Sequence, residues 1–391
     1  MRDVTEGVCQ PRFYRVRAAF GENFAARDEI GAAVAVTAAG EPVVDLWGGW
    51  RDQAKTRPWT RDAIVNVWSV GKAVTAVCLL RLVDRGLVEL DSPVARYWPE
   101  FAQGGKDTIP VRMLLNHQAG LPAIAKPLPP GINLTSWQTM TAELASQEPW
   151  WAPGTGFGYH TNTFGFLVGE IVRRVDGRSL GTFLREEIAE PFGIDFLIGF
   201  GPREDARVAE WLAYRAQPGE ESQRPWLERD PATLSGMDLG RVLAYRNPPG
   251  HPEGAVNSRI WRQAEFPSTN GHSNARAIAR LFGTLANGGE LDGERLLEAT
   301  TIEQAYAIES DGEDLVLGRP NRFGLGFQLT IPGVRPLGPG AHTFGHYGNG
   351  GILGFADPDA AVGFGYVCNR SGRSWRDPRN IALIDAVYAS L

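Results

Sequence analysis

Two stretches at opposite ends of the 391-residue chain share one strand-turn-strand pattern. Small and β-branched residues from Gly31 to Thr37 lead into a turn around Gly40 and out again from Val43 to Trp47. Near the C-terminus, "GFADPDAAVGFGYVCN" places a turn at Asp357-Pro358-Asp359 and a strand from Val362 to Cys368. Both read as hairpins. If the two ends build one sheet, the chain between them is a long insertion, and its periodicity is helical.

From Ser69 to Arg85 the apolar residues Val70, Val74, Val77, Cys78 and Leu82 recur at three- and four-residue spacings, and Gly86 supplies a stop. "NTFGFLVGEIVRRV", "SLGTFLREEIAEPF" and "NARAIARLFGTLANGG" read as further helices ended by Gly, Asp-Gly or Pro. Pro/Gly/polar tracts at 120–135, 215–232 and 246–256 read as surface connections or lids. The expected fold is α/β of the α+β type: an antiparallel sheet flanked by helices, with a mostly helical second domain. Residues 1–84 and 256–391 would form the sheet domain and 85–255 the helical one, leaving a cleft between two layers as the natural ligand site.

Composition excludes several functions. With 39 Lys+Arg against 45 Asp+Glu and a formal charge of −6, there is no basic excess for nucleic acid or an anionic membrane. The apolar run Ala73–Leu80 is too short for a membrane span. The first residues, "MRDVTEGVCQPRF", lack a secretory apolar core, so a cytoplasmic location is expected. Cys9, Cys78 and Cys368 form neither a disulfide framework nor a zinc knuckle, and the six histidines include no H-E-x-x-H pair. No metal or cofactor is expected; oligomeric state is not readable.

Two serines compete for the role of nucleophile. Ser179 lies in "GRSLG", a G-x-S-x-G match, but no strand precedes it, and the Asp176-Gly177 turn between two helices makes it an N-cap. Ser69, in "NVWSVGKAV", stands one helical turn before Lys72, on the same helix face. A serine needs a neighbouring base, and a lysine serves only if burial or nearby cations lower its pKa. Read without chemistry, Ser69 is an N-cap and Lys72 a solvated side chain.

Two further stretches join this pair. Tyr159, in "WWAPGTGFGYHTNTFGFLVG", follows a Gly/Pro-rich loop and precedes a helix, where a phenol can reach a cleft and exchange protons if a lysine ammonium favours the phenolate. In "FGHYGNGGILGFADP", glycines around His346 leave backbone open to a substrate, and the N–H of Asn349 is a candidate oxyanion donor beside that of Ser69.

The order "SVGK", "YHT" and "HYG", with "RGLVELDSPVARYWPEF", "VRMLLNHQAGLP" and "PSTNGHSNARAIARLFGTLANGG", resembles the serine β-lactamase-like superfamily. Within it the chain is most similar to family VIII carboxylesterases, which are related to class C β-lactamases and DD-peptidases. The resemblance runs from about residue 30 to the C-terminus. It implies Ser69 as acylated nucleophile, Lys72 as its base and Tyr159 as proton shuttle. His346-Tyr347-Gly348 stands where β-lactamases have Lys-Thr-Gly, and Thr161 where class C enzymes have Asn. Both departures favour a small neutral ester over a penicillin-like acid. Trp150, Trp151, Phe157 and Tyr347 are the expected walls of an apolar pocket. The implied activity is hydrolysis of short-chain esters; a β-lactamase, a D-amino-acid peptidase or amidase, an acyltransferase and a non-catalytic binding scaffold are the alternatives.

Overall fold

The computed structural model describes residues 5–249 and 254–391. Nine strands form one sheet in the order Thr5–Cys9, Glu41–Gly49, Gly31–Ala38, Val362–Cys368, Leu353–Asp357, Phe344–Tyr347, Gln328–Leu329, Pro320–Phe323 and Ser310–Glu313. Every neighbouring pair is antiparallel. The two ends of the chain meet in the middle of the sheet, where Cys368 pairs with Ala32 and Val362 with Ala38.

Alternation along strand Val362–Cys368 sends its side chains to two helical layers. Gly363 faces helix Ala275–Ala286 so closely that a Cβ there would sit 2.2 Å from Gly283 N. On the other face the Tyr366 hydroxyl bonds Glu29, which pairs with Arg379 of the last helix, Pro378–Tyr388, at 3.0 Å. Helix Tyr14–Ala26 packs against that last helix.

Helix Val70–Asp84 is buried on nearly every side, between helix Phe164–Asp176 and strand Phe344–Tyr347. The expected helix at 179–192 is a continuous helical run with a wide π-type turn at Arg185–Ala189, between Leu180–Leu184 and Glu190–Phe192. A small three-stranded sheet of Val65–Asn66, His272–Ser273 and Phe196–Leu197 ties the segment before Ser69 to the central insertion. Among the described residues, no helix is long and apolar enough to cross a membrane, and no group of three metal-ligating side chains occurs.

Candidate active site

Ser69 stands at the N-cap of the buried helix Val70–Asp84, yet its side chain caps nothing. Its Oγ lies 3.1 Å from Lys72 Nζ instead. Trp68, just before it, has φ +51°, a left-handed conformation that is costly for a bulky residue and turns the chain sharply out of strand Val65–Asn66 into the helix. Close packing fixes the helix start: a Cβ at Gly71 would lie 2.4 Å from the Pro267 carbonyl oxygen. That approach brings the Ser268 carbonyl to 3.0 Å from Lys72 Nζ.

Lys72 is fully buried. Desolvation pulls its amine well below the ordinary lysine value. Lys72 Nζ donates to Ser69 Oγ and to Ser268 O; loss of one proton gives it the lone pair that can take the Ser69 proton. The remaining side of Nζ lies 4.8 Å from the centre of the Tyr159 ring.

Tyr159 is held by its backbone and by rings. Its N–H donates to Asp314 Oδ1 at 3.0 Å. Phe323 stacks parallel to it, and His117, His346 and Trp375 surround it at 5.3, 5.9 and 5.8 Å between ring centres. The hydroxyl is buried without a well-formed hydrogen bond among the described residues. Burial pushes the phenol well above its ordinary range, against the lowering effect of the Ser69 hydroxyl. Burial thus favours the uncharged form of both groups, lowering the lysine and raising the phenol.

The histidines are neutral for the same reason. Burial lowers His346 to about 3 and His160 to about 4, and takes His117 well below its usual value. His346 Nδ1 donates to Tyr347 O at 2.7 Å, leaving Nε2 buried beside Tyr159 and without a hydrogen-bond partner among the described residues. His160 donates from Nδ1 to Gly158 O and accepts the Leu121 N–H at Nε2. His117 Nδ1 accepts the His160 N–H.

Ser69 and Tyr159 open onto a cleft of about 360 Å³. Thr161 and Asn349 line it too, and among the described residues no backbone carbonyl accepts the N–H of Ser69 or Asn349. The other expected substrate contacts do not reach this lining. His346 is buried behind Tyr159 on strand Phe344–Tyr347, and Tyr347 points away, donating its hydroxyl to Pro336 O at 2.8 Å. Gly348 serves packing, since a Cβ there would meet the Val67 carbonyl oxygen at 2.6 Å. Trp150 Nε1 donates to Ala123 O and Trp151 Nε1 to Gly156 O, so both indoles brace loops. Phe157 packs with Tyr159, Leu317 and Phe323.

The aromatic walls come from elsewhere in the chain: Trp68, Tyr245, Trp261, Phe266 and Trp375. Asn162, one residue after Thr161, also lines the cleft, with Nδ2 donating to Ala244 O and Oδ1 accepting from Thr269. An amide is thus present in the cleft despite the threonine at 161. The tracts read as lids contribute Asn133, Arg224, Pro248 and Val256 to the walls; residues 250–253 of the last tract lie outside the described residues.

Ser179 does not line this cleft; it borders a neighbouring pocket that meets the cleft at Asn133. It caps helix Leu180–Leu184 by accepting the Thr182 N–H and donates to Glu265 Oε1 at 2.5 Å. A separate cavity of about 320 Å³ between the hairpin at 31–49 and helix Ala275–Ala286 contains no serine.

A large antiparallel sheet flanked by helices, with a serine leading a buried helix and a lysine one turn on, defines a β-lactamase-like serine hydrolase. The chain belongs to the Beta-lactamase family, which it matches over residues 16–389. It is 36% identical over 368 residues to the esterase/beta-lactamase LipL of Mycobacterium tuberculosis, a match spanning 93% of this chain and 82% of that one. A penicillin-binding protein homologue from Caulobacter crescentus is similar in structure, with a TM-score of 0.89 and 42% identity over 99% of this chain and 100% of that one. A family VIII carboxylesterase gives the same TM-score of 0.89 at 38% identity, with shares of 99% and 100%.

Proposed function

We propose that the protein is a serine carboxylesterase that hydrolyses small esters through an acyl-enzyme on Ser69. The observation carrying this reading is the contact between Ser69 Oγ and Lys72 Nζ at 3.1 Å, with a lysine whose burial favours the neutral amine that a base requires. In the proposed reaction Lys72 takes the Ser69 proton as Oγ attacks the ester carbonyl. The N–H groups of Ser69 and Asn349 stabilise the oxyanion. As the C–O bond breaks, Tyr159 gives its proton to the leaving alkoxide and recovers one from Lys72, whose transient ammonium favours the phenolate. Water then attacks the acyl group, with proton transfers in the same cluster, releasing the acid and restoring Ser69.

Esterase-named relatives and an aromatic-walled cleft support the ester over the amide. Cleavage of β-lactams is the second reading, supported by the paired name of LipL and by the Asn162 amide in the cleft. Hydrolysis of p-nitrophenyl butyrate and nitrocefin by the wild type, Ser69→Ala and Ser179→Ala separates these readings. The expected result is rapid ester turnover, slow nitrocefin turnover, and loss of both only in Ser69→Ala. Efficient nitrocefin cleavage with negligible ester cleavage would reverse the preference.

A further inference from the structure

Past Asn349 and Trp375 the cleft continues into a second cavity of about 280 Å³, lined by Arg224, Arg241, Arg319 and Arg373 and by no carboxylate. Asn349, Trp375 and Arg224 line both spaces, so the cavity continues the substrate cleft. Among the described residues, only Arg373 of these four has an ion-pair partner, Glu220 at 2.6 Å. Among the described residues, Arg224, Arg241 and Arg319 have no carboxylate partner, and the guanidinium groups of Arg224 and Arg319 donate no hydrogen bond. Arg241 donates through Nε alone, to Val316 O.

Aromatic faces hold these cations in place. Arg224 lies 5.0 Å over Tyr245, Arg241 4.8 Å over Trp226 and Arg319 4.6 Å over Trp375. Stacking fixes the plane of a guanidinium and leaves its N–H edge open, the geometry that receives carboxylate or phosphate oxygens. Asp314, the carboxylate nearest Tyr159, is buried and taken up by the N–H groups of Tyr159, Val316 and Leu317 and by Asn321. In a chain whose formal charge is −6, three unneutralised cations at one concave site are a focused positive field that an anion relieves.

We propose that this cavity is an anion subsite and that the preferred esters carry a carboxylate or phosphate group several bonds from the scissile carbonyl. The proposal rests on the esterase reading for turnover, but not for binding. It also shifts the expectation of purely neutral esters: the imidazole at 346 holds no anion, while arginines from three other segments are placed to do so.

The test compares the p-nitrophenyl monoester of suberic acid, and its terminal phosphonate analogue, with p-nitrophenyl octanoate. The expected kcat/KM is about tenfold higher for an anionic ester, through KM, with the preference lost at high salt. Arg319→Gln and Arg241→Gln should each lower the anionic-to-neutral ratio several-fold, and Arg319→Lys should keep part of it. Which anionic ester is favoured assigns carboxylate or phosphate. A neutral ester turned over at least as well, or a ratio unchanged in both glutamine variants, would overturn the subsite and leave the esterase reading intact. If no ester is turned over, titration of the Ser69→Ala protein with the same compounds decides: tighter anionic binding supports the subsite alone, and equal binding removes it.

Discussion

Lys72 is the residue on which the chemistry depends, and its peculiarity is not burial alone. Lys106 is also buried, but its Nζ donates to the carbonyls of Gln103, Ala145 and Gln147, and burial lowers it only to about 8. Lys72 has one carbonyl, the Ser69 hydroxyl and an aromatic face. Ester turnover should therefore rise with pH through a depressed titration and level off well below the ordinary lysine value of 10.5. A rate profile still climbing at that value would mean that Lys72 is charged at rest. The same shift has a cost for stability. Above the unfolded value the penalty vanishes; it grows as pH falls toward the lower folded value, because the unfolded chain then holds a proton that the folded chain excludes. Lys72→Met should abolish turnover yet raise the melting temperature by a few degrees at neutral pH, with a smaller gain near pH 10.5. Ser179→Ala should do the reverse, keeping turnover and losing about 1 kcal/mol in denaturant unfolding through the lost cap.

Among the elements, the junction of helix Val70–Asp84 with the 266–271 loop sets the site. Gly71→Val would force its side chain into the Pro267 carbonyl and separate Lys72 from Ser268. A stability loss of about 1–3 kcal/mol and at least a tenfold drop in ester turnover are expected, measured by denaturant unfolding and by kcat/KM. The helix was readable because its apolar spacing and the three-residue step from Ser69 to Lys72 are local. The hairpins at both chain ends were readable for the same reason. The cleft walls were not, since Trp68, Tyr245, Trp261, Phe266 and Trp375 come from four distant parts of the chain. Nearness in sequence misled at Trp150, Trp151 and Phe157: loop residues beside Tyr159 turn their side chains inward to satisfy loop carbonyls or fill the core. Ser268 had a visible signal in "PSTNG", but only folding reveals that its carbonyl faces Lys72.

At the scale of the molecule, the sheet closes only when the last strands arrive. Strand Val362–Cys368 lies between Gly31–Ala38 and Leu353–Asp357, and its small residues admit helix Ala275–Ala286. A chain ended before residue 362 should fail to form a soluble folded monomer, seen as loss of the near-ultraviolet circular dichroism and of the cooperative thermal transition. The same architecture places Ser69, from the first part of the chain, against Tyr159 from the helical insertion and Asn349 from the returning sheet. The most direct test of the assembled site is stoichiometric labelling with a p-nitrophenyl alkylphosphonate, followed by peptide mapping. The account predicts one equivalent of nitrophenolate released and the phosphonyl group on Ser69, with no labelling of Lys72→Met at neutral pH. A phosphonyl group on Ser179, or turnover of esters by a protein that never takes the label, would contradict it.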